Sequence, residues 1–153
     1  MRVLKIYTDS SCRREDKRTS LAYIVVEGEK IICENVRVID EYVISNYSEL
    51  MAVLNALNWL RSNKLNKTRI YIYTDSQYVQ LGFTKRQENK WLNEEENTTW
   101  KKIRDIISEF KSVYVQWIPS HAENLYNNRA DELCTISLIN FNKTDDVFKK
   151  ISK

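Results

Sequence analysis

The pentapeptide Ile6-Tyr7-Thr8-Asp9-Ser10 recurs as Ile72-Tyr73-Thr74-Asp75-Ser76, in surroundings that otherwise differ. Each copy closes a short β-rich run, Val3-Leu4-Lys5-Ile6-Tyr7 in the first and Ile70-Tyr71-Ile72-Tyr73 in the second. Each also places a carboxylate just past the last strand residue. Two such strands, side by side and parallel, would send both carboxylates out of one edge of one sheet. In open α/β sheets that edge is where ligands bind, at the point where strand order reverses. Paired acids there point to a divalent-cation site and hydrolytic chemistry. Two isolated copies are not the short fixed period of a solenoid.

The rest of the chain supplies the elements this geometry needs. Leu21-Ala22-Tyr23-Ile24-Val25-Val26 reads as a strand, Glu27-Gly28-Glu29-Lys30 as a hairpin turn, and Ile31 to Val38 as the returning strand. Leu50, Val53, Leu54, Leu57 and Leu60 recur at helical spacing, which predicts a long amphipathic helix from about Asn46 to Ser62. Arg69 to Thr74 is the near-continuous apolar run of a parallel strand covered on both faces. Ser76 to Phe83 reads as a short helix, and Thr84 to Glu96 as a loop or weak helix. Trp100, Ile103, Ile106, Ile107 and Phe110 mark a further helix. Ser112 to Ile118 is a last strand stopped by Pro119, and Asn127 to Leu138 a closing helix. Phe141 to Lys153 reads as a polar tail. The order is β-β-β-α-β-α-α-β-α. A right-handed crossover through the long helix can seat the strand carrying Asp75 beside the first one, on the side the meander leaves free.

Glu49, in the first turn of the long helix, flanks its apolar stripe near Ala52 and Ala56. Small residues there would let the helix lie close to the sheet and bring Glu49 toward the strand-end acids. Asp131, early in the closing helix, is a candidate fourth. Several acids in one crevice repel unless cations occupy it, and hard oxygen ligands suit magnesium or manganese. Taken singly, each residue has an ordinary alternative. Asp75 and Ser76 can cap the following helix, Asn46-x-x-Glu49 resembles a capping box, and Asp131 and His121 are common surface types. Trp91 and Trp100 are candidates for stacking on nucleic acid, with Trp100 fitting the helix core better.

Composition narrows the field further. The length of 153 residues fits one domain, and the net charge of +3 permits a polyanionic partner. Charge is concentrated at Arg13-Arg14-Glu15-Asp16-Lys17-Arg18 and Lys85-Arg86, both in predicted loops. Cys12, Cys33 and Cys134 are far apart and form no C-x-x-C pair, so free thiols in a reducing, cytoplasmic location are expected. A single histidine argues against a zinc site. No apolar run approaches the roughly 20 residues of a membrane helix.

Four motifs in order give the chain a specific likeness. They are Tyr7-Thr8-Asp9-Ser10-Ser11-Cys12, Asn46-Tyr47-Ser48-Glu49-Leu50-Met51-Ala52 and Tyr73-Thr74-Asp75-Ser76-Gln77-Tyr78-Val79. The fourth is Trp117-Ile118-Pro119-Ser120-His121-Ala122, continuing through Asn127-Asn128-Arg129-Ala130-Asp131-Glu132-Leu133. The chain resembles the type 1 ribonuclease H family nearly end to end. The resemblance implies an RNase H-like α/β fold, with a five-stranded mixed sheet ordered 3-2-1-4-5 and flanked by helices. It places the domain at residues 1–140, followed by a polar tail over 141–153. Asp9, Glu49, Asp75 and Asp131 would be the metal-binding tetrad, and His121 a mobile histidine assisting proton transfer or product release. Ser11, Asn46, Gln77 and Asn127 would contact substrate or support the site. The implied activity is endonucleolytic cleavage of the RNA strand of RNA–DNA hybrids by a monomer. It would use two magnesium ions, for which manganese can substitute, and leave 5′-phosphate and 3′-hydroxyl ends. The alternatives are a non-catalytic hybrid-binding module, or another nuclease such as a resolvase or 3′ exonuclease on the same fold. Two departures stand out. Ser10 occupies a position where the family usually has glycine, and the charged loop Arg13 to Arg18 replaces a typically glycine-rich one. The stretch Thr84 to Thr99 is also short for the basic protrusion some members carry.

Overall fold

A computed structural model describes residues 2–85, 94–119, 124–140 and 148–152. The elements are β1 (Val3–Arg13), β2 (Arg18–Glu27), β3 (Lys30–Ile39), α1 (Ser45–Ser62), β4 (Arg69–Thr74), α2 (Gln77–Lys85), α3 (Glu94–Ser108), β5 (Ser112–Trp117), α4 (Leu125–Asn140) and β6 (Phe148–Ser152). They build one sheet of order β5-β4-β1-β2-β3-β6. Its first five members have the expected 3-2-1-4-5 arrangement. β1 runs antiparallel to β2 and parallel to β4, so strand order reverses between β1 and β4.

Period-2 alternation sorts the core into two layers. Leu4 and Ile6 of β1 join Tyr23, Val25, Ile70 and Ile72 on the face covered by α1 and α3, where Leu50, Val53, Leu57, Leu60, Ile103 and Phe110 pack. Tyr7, Ala22, Ile24, Val26 and Val36 point the other way, against Ala130, Leu133 and Cys134 of α4. This is why Leu21–Val26 reads as unbroken apolar sequence: both of its faces are inside. Ala52 and Ala56 are fully buried, as the close approach of α1 to the sheet requires. Trp100 is in this core, 5% exposed. Among the described residues no helix is long and apolar enough to cross a membrane.

Boundaries differ from the sequence reading where local chemistry was ambiguous. β1 and β2 pair out to Arg13 and Arg18, so the charged segment is a tight hairpin tip. α3 begins at Glu94, and the run Glu94-Glu95-Glu96 fills its first turn. Acidic side chains favour the positive end of a helix, a preference that a polar composition hides. α4 starts at Leu125, and Asn124 Oδ1 caps it by accepting from the backbone N–H groups of Tyr126 at 3.1 Å and Asn127 at 3.0 Å. Within the expected polar tail, Phe148–Ser152 forms β6, antiparallel to the outer edge of β3. The adjacent pair Lys149-Lys150 leaves no clean alternation from which to read a strand.

The two glycines have different duties. Gly28 takes φ +63° in the β2–β3 turn, a conformation that disfavours other residues. Gly82 lies in α2 beneath the Trp100 indole, and a Cβ built there would overlap that ring. Alanine normally favours a helix over glycine by about 1 kcal/mol. Displacing Trp100 from Phe83 and Tyr78, with ring centroids at 5.3 and 6.1 Å, reverses the sign here. Gly82→Ala is expected to lower stability by about 1–3 kcal/mol in urea unfolding. Stability equal to the parent would mean that Trp100 can shift freely.

Candidate active site

The repeated pentapeptide is not only repeated but in register. Ile6 pairs with Ile72 and Tyr7 with Tyr73 across the parallel β1–β4 ladder. Asp9 and Asp75 each follow two residues beyond the paired tyrosines, which stack at 4.9 Å between ring centroids. The chain bends sharply after β4. Ser76 N–H donates to Thr74 Oγ1 at 3.0 Å, and Ser76 Oγ accepts from Val79 N–H at 3.2 Å to cap α2. Capping therefore falls to Ser76, while the indole N–H of Trp117 on β5 fixes the Asp75 carbonyl at 3.1 Å.

Glu49 arrives from α1. That helix has Ile44 at its cap position and no side-chain cap bond, so the capping-box alternative does not apply. Instead Glu49 Oε1 accepts from the Ser10 hydroxyl at 2.8 Å and the Ser10 N–H at 3.2 Å. Glu49 Oε2 is buried without a hydrogen-bond partner among the described residues. Asp9, Glu49 and Asp75 each offer an oxygen within 4.8 Å of the others. Asp131 reaches the same cavity from α4, on its exposed side. The cavity is about 270 Å³ and lined by those four acids with Ser10, Ser45, Asn127 and Asn128.

Charge is held there at a cost. Burial first, then the neighbouring Asp75, pushes the Asp9 carboxyl up to about 8, with Asp131 adding to the rise. Burial, Asp9 and Asp75 push Glu49 well up too, and the two Ser10 donors pull the other way. An orphaned carboxylate oxygen beside two further acids is the donor set of a hard divalent cation. The residues present fit magnesium or manganese.

The other expected site residues divide. Asn127 lines the acid cavity, 2% exposed, with its Oδ1 buried and lacking a partner among the described residues. Asn46 and Gln77 line an adjoining cavity of about 360 Å³, together with Ser45, Glu49, Asp75, Ser76, Tyr78 and Trp117. Ser11 pairs with Ser20 on β2 and lines neither cavity. His121 and Trp91 lie outside the described residues. Sequence reasoning passed over Ser45, Asn128 and the indole of Trp117 as site residues. Trp117 and Asn128 both gave a signal, as members of the fourth motif, and Ser45 gave none.

A family model for RNase H matches residues 1–138. The chain belongs to the ribonuclease H family. It is 32% identical over 139 residues to ribonuclease H of Ehrlichia canis (strain Jake), covering 84% of this chain and 89% of that protein. It is 30% identical over 145 residues to ribonuclease H of Ehrlichia chaffeensis (strain ATCC CRL-10679 / Arkansas), covering 88% and 93%. The fold is similar to that of RNase H1 from the halophilic archaeon Halobacterium salinarum NRC-1. That match has a TM-score of 0.74 at 20% identity, over 91% of this chain and 99% of that one. It is also similar to LC11-RNase H1, solved in complex with an RNA/DNA hybrid. There the TM-score is 0.71 at 22% identity, over 85% and 92% of the two chains.

Proposed function

We propose that the protein is a magnesium-dependent endonuclease that hydrolyses the RNA strand of RNA–DNA hybrids, leaving 5′-phosphate and 3′-hydroxyl ends. The observation that carries this reading is the convergence of Asp9, Glu49 and Asp75 from three separate elements to within 4.8 Å, with Asp131 in the same cavity. In it, Asp9, Glu49, Asp75 and Asp131 hold the metal. When bound, a pair of divalent ions supplies activation of the attacking water and neutralisation of charge at the leaving 3′ oxygen. Asn46 and Gln77, which line the adjoining cavity, would meet the sugar edge of the RNA strand, whose 2′-hydroxyls distinguish it from DNA. Asn127 steadies the acid cavity from α4. His121 assists proton transfer or product release, and Ser11 supports the substrate-side strand.

A gel assay with matched RNA–DNA, RNA–RNA and DNA–DNA duplexes in Mg²⁺ tests this. Cleavage confined to the RNA of the hybrid is expected. Tight hybrid binding without cleavage would instead indicate a non-catalytic binding module, and cleavage of DNA a different nuclease.

The β1–β2 hairpin tip extends the Asp9 strand and carries Arg13, Arg14 and Lys17. Arg13 pairs with Asp16 at 3.1 Å, and Arg14 lies over the Tyr42 ring at 5.3 Å. Both contacts are exposed and exchangeable for phosphate. Arg18, whose guanidinium donates to the Leu138 carbonyl at 3.5 Å, belongs to the fold. Alanine at Arg13, Arg14 and Lys17 together is expected to flatten the salt dependence of log affinity for a hybrid by about 1–2 units, at about 0.9 per phosphate contact. Coincident lines for parent and variant would leave these charges in solvent.

A further inference from the structure

Where the ribonuclease H family usually has glycine, Ser10 adds a side chain at the heart of the acid cavity. Ser10 Oγ lies 2.8 Å from Glu49 Oε1 and 2.7 Å from Ser48 Oγ. Ser48 is fully buried, and the neighbouring Cys12 thiol commits its proton to the Val43 carbonyl at 2.9 Å. Each hydroxyl has one proton to give. A carboxylate is the strongest acceptor in this set, so Ser10 donates to Glu49. Ser48 Oγ lies against Ser10 Oγ at 2.7 Å and has a second acceptor for its own proton in the Ser45 carbonyl at 2.9 Å. The cluster of Ser48, Ser10 and Glu49 bridges α1 and β1, and the bond from Ser10 to Glu49 is its charge-assisted member. Glycine would leave Glu49 Oε1 with the backbone N–H alone.

We propose that Ser10 is a positioning residue for the metal site. Its hydroxyl, backed by Ser48, holds one oxygen of Glu49 and leaves the other free for a divalent cation shared with Asp9 and Asp75. This rests on the metal-binding reading above. Removing a hydrogen-bond partner of a metal ligand commonly weakens metal affinity 10–100-fold.

The test is Mn²⁺ titration of the full chain by calorimetry, without nucleic acid, so that binding is read apart from catalysis. Ser10→Ala is expected to weaken Mn²⁺ binding roughly tenfold. Ser10→Thr keeps the hydroxyl and suits an extended strand, so it should stay within about threefold of the parent. Circular dichroism and melting in EDTA establish that each variant folds. Should Ser10→Ala fail to fold, Ser10→Gly carries the same comparison. Affinity within about twofold of the parent in a folded Ser10→Ala, while Glu49→Gln loses binding, overturns the proposal. So does a Ser10→Thr variant as weak as Ser10→Ala. Unchanged binding in Glu49→Gln would overturn the metal assignment itself, a result distinct from failure of the Ser10 argument.

Discussion

Asp75→Asn is expected to lower hybrid cleavage in Mg²⁺ by roughly 100-fold or more, since it removes a ligand charge where transition-state charge must be neutralised. The same change should stabilise the metal-free protein. Asp9 is pushed up to about 8, by burial and then by Asp75, from an unfolded value near the ordinary ~3.9. A carboxyl raised on folding contributes stability below its unfolded pKa and loses that contribution as pH rises through its folded one. In EDTA, the parent should therefore melt lower at pH 8.5 than at pH 5. Asp75→Asn removes the second cause of the shift, so its decline should be shallower and its Tm at pH 8.5 equal or higher. Mg²⁺ at pH 8.5 should raise the Tm of the parent more than that of the variant. Melting curves across this range, with single-turnover cleavage, check both halves. Substantial turnover by Asp75→Asn would remove Asp75 from the site.

Arg129→Ala is expected to be the most destabilising single change outside the apolar core. Glu34 on β3 is 1% exposed beneath α4, and the Arg129 fork grips both its oxygens, at 2.9 and 3.2 Å. Arg129 also pairs with Glu132 at 2.7 Å, a half-open contact of little energetic weight. Removing the guanidinium leaves a buried carboxylate without its counter-charge, which costs about 3–5 kcal/mol. In a chain of this size each kcal/mol lowers Tm by about 2–4 °C. Removing both charges, as in Glu34→Leu with Arg129→Met, should recover most of the loss. Urea unfolding of the single and double variants separates the cost of an unpaired charge from the worth of the pair. A loss below about 1 kcal/mol for Arg129→Ala would show that Glu34 has another adequate partner.

Much of this architecture was legible in the residues. The copies of Ile-Tyr-Thr-Asp-Ser announced two equivalent strands, and pairing of Tyr7 with Tyr73 turned that repetition into geometry. Glu49 was legible as an acid near the start of the right helix, although α1 begins at Ser45 and leaves it past the first turn, and its freedom from capping was not legible. That depended on Ile44 taking the cap position and on Ser10, 39 residues away, supplying the partner. The Ser10 hydroxyl itself read as a disturbance of the family pattern, because a side chain's partners across a sheet are fixed by tertiary packing. The start of α3 was obscured by three glutamates whose charge suits a helix beginning as well as a loop. β6 carried no alternation at all, and its pairing depends on an edge that only the finished meander presents.

The in-phase β1–β4 ladder poses a problem of self-recognition for the folding chain. Ile6–Ser10 and Ile72–Ser76 are identical, so over those five residues each segment can occupy the other's berth without changing one side chain. The distinction lies in what flanks them. β1 continues to Arg13 and has β2 hydrogen-bonded along its other side, whereas β4 is short, ends at Thr74 and must accept β5. The β1–β2 hairpin is the local pairing and forms without closing a long loop, so it seats the first copy before the second is recruited. Substitutions that slow that hairpin, at Lys17 with its φ of +50° for example, would expose the chain to a swapped intermediate. Such an intermediate keeps the sheet's hydrophobic pattern and forfeits its catalytic edge.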